Sequence, residues 1–127
     1  MMARKLVMIA LALPLMAATV IEKEWRQVKK EIAASGKVSV VELGVAWCSF
    51  CQQTKQAMKD LPAIYDKEVN FYYVDLERYE EAQEEYAVRA TPTLLFFGKD
   101  GKLVEKKVGG MVEIGLKKKL EKMGVRP

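Results

Sequence analysis

Two cysteines, the only ones in a chain of 127 residues, stand three positions apart in Trp47-Cys48-Ser49-Phe50-Cys51. They follow the apolar run Val38 to Ala46 and precede a helix-like stretch, a placement that points to thiol–disulfide chemistry. Residues i and i+3 on the first turn of a helix are neighbours, so Cys48 and Cys51 can close a disulfide with little backbone movement. The unpaired N–H groups and the positive dipole end of a helix N-terminus favour a thiolate over a thiol at Cys48. Cys48 is therefore expected to attack and Cys51 to resolve.

Three other uses of two cysteines compete with this one. A structural disulfide across so short a loop contributes only roughly 2 kcal/mol through chain entropy, a weak staple. A four-coordinate Cys/His zinc site needs more ligands, and the chain has no histidine and no second cysteine pair. Two thiolates could still hold Cu(I), and burial of two unrelated cysteines by chance remains the plainest alternative.

The length allows one domain with a real core. Half the residues are apolar and 30% are charged, as in ordinary globular proteins. The formal charge of +4 falls to +2 once Arg4 and Lys5 are set aside, and the basic residues are scattered. This excludes a nucleic-acid footprint.

Met1 to Ala18 reads as a secretory signal: Arg4 and Lys5, an apolar stretch from Leu6 to Leu15, then the small residues Ala17 and Ala18. The uncharged run Leu6 to Ile21 would span about 24 Å as a helix, short of the roughly 30 Å hydrocarbon core. Cleavage after Ala17 or Ala18 would place Leu15 or Met16 where a small residue is expected, so a cleaved signal and a retained N-terminal anchor both stay open. The division expected is residues 1–20 as signal or anchor and residues 21–127 as one domain. An exported CxxC pair works in an oxidising, periplasmic or other extracytoplasmic compartment and needs an electron donor to keep it reduced.

The remaining elements must position the thiols. Ile21 to Ser35 carries Trp25, Val28 and Ile32 on one helical stripe and stops at Gly36. Val38 to Ala46 reads as a central strand covered on both faces, with Glu42 its one exception. A helix should run from Cys48 to about Lys59 and break before Pro62. Val69 to Leu76 reads as a second strand and Glu77 to Tyr86 as a charged helix. Leu94 to Phe97 and Leu103 to Val108 form a hairpin through Lys99-Asp100-Gly101. Gly109-Gly110 precedes a closing helix, Val112 to Met123, with Ile114, Leu116 and Leu120 available for its buried face. The order implies an α/β fold: a mixed sheet of about four strands with helices on both faces and an extra N-terminal helix.

From Val38 to Leu120 these pieces resemble the thioredoxin superfamily. The resemblance is carried by Ala46-Trp47-Cys48-Ser49-Phe50-Cys51, Ala90-Thr91-Pro92-Thr93-Leu94-Leu95-Phe96-Phe97, Asp100-Gly101-Lys102 and Gly109-Gly110. It implies that Pro92 is a cis-proline beside the CxxC pair and that the backbone of Thr91 pairs with an extended substrate segment. A trans proline opening an edge strand is the plainer reading. Glu42 falls where many thioredoxins carry a buried acid, usually Asp. A carboxyl in an apolar strand can exchange a proton near neutrality and help deprotonate Cys51, whereas on an open face it would merely be solvated. Tyr73 stands where thioredoxins commonly place the lysine accompanying that acid, so this ion pair is expected to be missing.

The Ser49-Phe50 dipeptide differs from the Gly-Pro of thioredoxin and the Pro-His of strong oxidants. Without a histidine cation, a reducing or intermediate role is favoured. The separation of 40 positions from Cys51 to Thr91 leaves no room for the helical insertion such oxidants carry. Trp47 is expected on a partly exposed face beside the thiols, with packing as a compatible role, and Phe50 extends an apolar docking surface or packs on the first helix turn. The resemblance thus implies an exported thiol–disulfide oxidoreductase, a monomer that acts on protein disulfides and needs no cofactor. A soluble or membrane thiol donor, such as a membrane thiol–disulfide reductase, would re-reduce it. A non-catalytic adaptor or Cu(I) carrier on the same fold is the alternative.

Overall fold

The computed structural model describes residues 21–65 and 68–127. The signal or anchor segment expected over residues 1–20 lies outside them. Among the described residues ten elements follow in order: β1 (Ile21–Glu22), α1 (Trp25–Ser35), β2 (Val38–Gly44), α2 (Ser49–Asp60), α3 (Pro62–Tyr65), β3 (Val69–Asp75), α4 (Glu80–Glu85), β4 (Thr93–Phe97), β5 (Leu103–Val108) and α5 (Glu113–Lys122). Among the described residues no helix is long and apolar enough to cross a membrane.

The sheet has the order β1-β3-β2-β4-β5, in which β1, β3 and β2 pair in parallel and β4 runs antiparallel to both β2 and β5. This is the mixed sheet expected, with one correction. Ile21 and Glu22 are not the start of the first helix; they add a short fifth strand paired to Tyr72 and Tyr73. Helix α1 starts only at Trp25 and ends at Gly36, and its stripe Trp25, Val28 and Ile32 is buried as the 3.6-residue spacing requires.

Every residue of β2 is buried because the strand lies mid-sheet with helices on both faces. Its side chains alternate between two cores. Val41 and Leu43 pack with Trp25, Val28, Ile32 and Ala82, beneath α1 and α4. Val38 and Val40 pack with Met58, Leu61, Leu116 and Leu120, beneath α2, α3 and α5. The break at Pro62 separates α2 from the single turn α3, as the missing proline N–H demands. The hairpin turn is held by Gly98 N–H donating to Lys102 O (2.9 Å) and Gly101 N–H donating to Gly98 O (2.9 Å).

In α5, Leu116 and Leu120 are buried one turn apart, but Ile114 is 63% exposed. Two residues along a helix is about 200° of rotation, so a side chain two positions before Leu116 points away from the core. The expectation that Ile114 belongs to the buried face is therefore corrected.

Candidate active site

The chain leaves β2 at Gly44 and turns into α2 through Val45, Ala46 and Trp47, with Cys48 N–H donating to Val45 O (3.2 Å). Cys48 is in an extended conformation and caps α2: its Sγ accepts the Cys51 N–H at 3.2 Å. A sulfur thus fills the place a Ser or Asp oxygen takes in ordinary N-caps. The same N–H would stabilise negative charge on that sulfur.

Cys48 and Cys51 are joined in a disulfide with their Cα atoms 5.2 Å apart. Cys48 is 9% exposed whereas Cys51 is fully buried. Of the two, only Cys48 keeps any exposed surface. Trp47 and Phe50, at 78% and 66% exposure, stand open on either side, and Ser49 is exposed between them. The Trp47 indole Nε1–H donates to Glu77 Oε1 (2.5 Å), which fixes a ring that has little packing of its own.

The loop before β4 shares a groove with the helix that carries the thiols. The Thr91–Pro92 peptide bond is cis, Pro92 is buried, and Thr93 Oγ1 donates to Ala90 O (2.8 Å) across the turn. Gly109 N–H donates to Pro92 O (2.8 Å), tying the Gly109-Gly110 segment to this loop. A groove of about 450 Å³ runs between them, lined by Phe50, Thr54, Thr91, Pro92, Gly110 and Met111 among others. The groove therefore brings Phe50, Thr91 and Pro92 together, with Cys48 capping the helix that carries Phe50 and Ser49 exposed on the first turn of α2.

Glu42 is wholly buried, so it is not a solvated strand residue. Neither carboxyl oxygen has a hydrogen-bond partner among the described residues. Burial pushes its pKa up to about 8, and the nearby ammonium of Lys55 only partly opposes this. Strand geometry relates Glu42 to the position of Cys51. Glu42 shares a sheet face with Gly44, about 7 Å further along β2. A Cβ on Gly44 would lie 3.1 Å from both Cβ and Sγ of Cys51 and 3.1 Å from Tyr73 Cε2. The missing side chain is what lets Cys51 settle onto the sheet beside Tyr73, the register partner of Glu42. Gly44→Ala is expected to force these groups apart and to lower stability by about 1–3 kcal/mol, read from urea unfolding of the oxidised protein.

The strand position of Tyr73 carries no cation, but helix α2 supplies one. Lys55 Nζ sits 4.1 Å from the centre of the Tyr73 ring, beside the strand pair that holds Glu42. Sequence reading missed Lys55, although its place one helical turn after Cys51 puts it beside the same buried stripe. It also missed Thr54 and Met111, which complete the groove, and Glu77, whose partnership with Trp47 joins segments 30 residues apart. Among the described residues no cluster of three or more Cys, Asp or Glu side chains could hold a metal ion.

A cysteine that caps a helix and keeps a little exposure, a fully buried cysteine one turn on and a proline loop bordering the same helix define a thiol–disulfide oxidoreductase. The comparisons agree. The sequence matches the Thioredoxin family model over residues 18–122, and the chain belongs to the thioredoxin family. It is 32% identical to thioredoxin H5 of Oryza sativa subsp. japonica over 102 residues, 80% of this chain and 73% of that one. It is likewise 32% identical to the thioredoxin of Geodia cydonium over 89 residues, 70% of this chain and 82% of that one. Chloroplastic thioredoxin z has the same fold, with a TM-score of 0.78 over 84% of this chain and 95% of that one at 15% identity. The thioredoxin of Malassezia sympodialis aligns with a TM-score of 0.69 over 85% of this chain and 91% of that one at 25% identity.

Proposed function

We propose that this protein reduces or exchanges disulfides in exported proteins through a mixed disulfide on Cys48. The observation that carries the reading is the contrast between the two sulfurs: one reachable and capped by a backbone N–H, the other buried directly behind it. In the reduced protein the Cys48 thiolate attacks one sulfur of a substrate disulfide. That S–S bond breaks, an S–S bond to Cys48 forms, and the other substrate sulfur leaves as a thiolate. Cys51 loses its proton to Glu42 and attacks Cys48 Sγ, which restores the Cys48–Cys51 disulfide and frees the second substrate thiol. Two electrons pass to the substrate, and an external dithiol, soluble or membrane-bound, returns them. No cofactor takes part.

Trp47, Ser49 and Phe50 border the docking surface, and the backbone of Thr91 beside Pro92 offers a pairing edge to an extended substrate segment. The absence of a histidine favours a reducing potential over a strongly oxidising one. Export is supported by the basic–apolar–small pattern of residues 1–18, which favours an extracytoplasmic compartment.

Trapping tests the mechanism. With Cys51→Ser the attack proceeds but resolution cannot, so the variant should accumulate covalent adducts with exported proteins that dithiothreitol releases. Adducts retained with Cys48→Ser in place of Cys51→Ser would overturn the assignment of the attacking sulfur. Cell fractionation of the full-length protein tests export, and recovery solely with cytoplasmic markers would refute it.

A further inference from the structure

Thr54 has no part in the exchange chemistry, yet it is buried, 2% exposed, in the helix that carries both cysteines. Its Oγ1 accepts the Met111 N–H at 3.2 Å, across 57 residues of sequence. A second observation places the same atom against the neighbouring residue. A Cβ added to Gly110 would lie 2.4 Å from Thr54 Oγ1, closer than any side chain can sit, and 3.5 Å from Pro92 Cγ. The segment Gly109–Met111 is thus fixed at two points: to Pro92 O through Gly109 N–H, and to α2 through Thr54.

We propose that Thr54 is a positioning residue for substrate, setting the distance between the redox helix and the far wall of the docking groove. The physical reasoning is direct. The groove has Phe50 on one side and Met111 on the other, and these belong to elements that no strand pairing joins. A polar N–H on the wall can be satisfied by Thr54 Oγ1 only while that wall stays against α2. Glycine at 110 permits the approach, and the hydroxyl at 54 holds it. A small disulfide needs only Cys48 and is indifferent to the wall, whereas a polypeptide disulfide must bury its flanking residues in the groove. The inference deepens the docking role proposed above and rests on it.

The test compares wild type, Thr54→Val and Thr54→Ser with a protein disulfide, insulin, and with a small one, 5,5'-dithiobis(2-nitrobenzoic acid). Loss of one such hydrogen bond corresponds to roughly a threefold to tenfold change in affinity. Thr54→Val should raise KM for insulin by about that factor, with kcat within about twofold, and should change the small-disulfide rate by much less than the insulin KM. Thr54→Ser should restore the insulin KM. The Met111 amide should exchange with solvent faster in Thr54→Val than in the other two proteins, a direct readout of the bond. An equal loss on both substrates, a KM unchanged despite faster Met111 exchange, or failure of serine to restore KM would overturn the proposal. Inactivity of the wild-type protein on both disulfides would instead sink the oxidoreductase mechanism itself, so the two failures are distinguishable.

Discussion

Serine at position 48 is expected to abolish disulfide reduction while leaving the fold in place. The two effects separate because Cys48 has two duties. As the cap of α2 it accepts the Cys51 N–H, and a serine oxygen performs that duty well, being among the preferred N-cap groups. As nucleophile it must ionise near neutral pH, which a thiol at a helix N-terminus does and an unactivated hydroxyl does not. The variant also loses the disulfide, whose four-residue loop contributes roughly 2 kcal/mol by chain entropy. The expected outcome is insulin reduction at the uncatalysed background rate, with a native far-ultraviolet dichroism spectrum and a modestly lower urea midpoint. An unimpaired rate would end the enzymatic reading in favour of a binding role for the two sulfurs. Cys51→Ser differs, because attack survives and only release fails.

Glu42→Gln is expected to stabilise the folded protein near neutral pH and to slow its catalytic cycle. The carboxyl titrates near 4.5 when unfolded and near 8 when folded, because burial disfavours its charged form. Below about pH 4 both states hold the proton and the group contributes no pH dependence. Between those values the unfolded state has released its proton and the folded state has not, so stability falls by about 1.4 kcal/mol per pH unit. By pH 7 the accumulated loss is roughly 3 kcal/mol, and above about pH 8 it levels off. Glutamine cannot ionise and should remove this slope. Urea unfolding of both proteins from pH 5 to 9 measures it, and parallel curves would show that Glu42 is not held protonated by the fold.

The catalytic counterpart follows from the same burial. In the proposed mechanism Glu42, two residues before the Gly44 gap that Cys51 fills and ionising near pH 8, takes the resolving thiol's proton, a role typically worth about a hundredfold or more. Release of a trapped substrate from the mixed disulfide should therefore slow by roughly two orders of magnitude in Glu42→Gln at pH 8, read by rapid-quench single turnover. In the proposed mechanism the destabilising acid has a use that offsets its thermodynamic penalty. Lys55 moderates that penalty, since its ammonium favours the ionised carboxyl. It does so from α2, with Nζ over the ring of Tyr73.

The reading of particular elements shows what kind of information each required. Val38 to Gly44 declared itself by an unbroken apolar run, because a strand covered on both faces has no polar side to show. The spacing of Trp25, Val28 and Ile32 declared the buried face of α1, and Pro62 declared the end of α2, since helical period and the lost N–H are local properties. Ile114 misled because apolarity alone says nothing of angle around a helix. Ile21 and Glu22 joined the sheet because β3 offered a parallel edge, which no window of a few residues contains.

The same division runs through the site. Residue types and local spacing by themselves determined a pair of thiols at a helix N-terminus, an acid stranded in an apolar strand, and a proline before an apolar strand. These follow from chemistry acting over a few residues of chain. Tertiary structure alone decided that Cys51 would rest on the gap at Gly44, that the cation near Glu42 would come from Lys55 on a helix, and that Thr54 would seize the backbone of Met111. Each is a close approach between segments distant in sequence, fixed by how β2, β3, α2 and the loop before α5 pack. Such approaches depend on distance in space, a quantity that the order of residues along a chain does not carry.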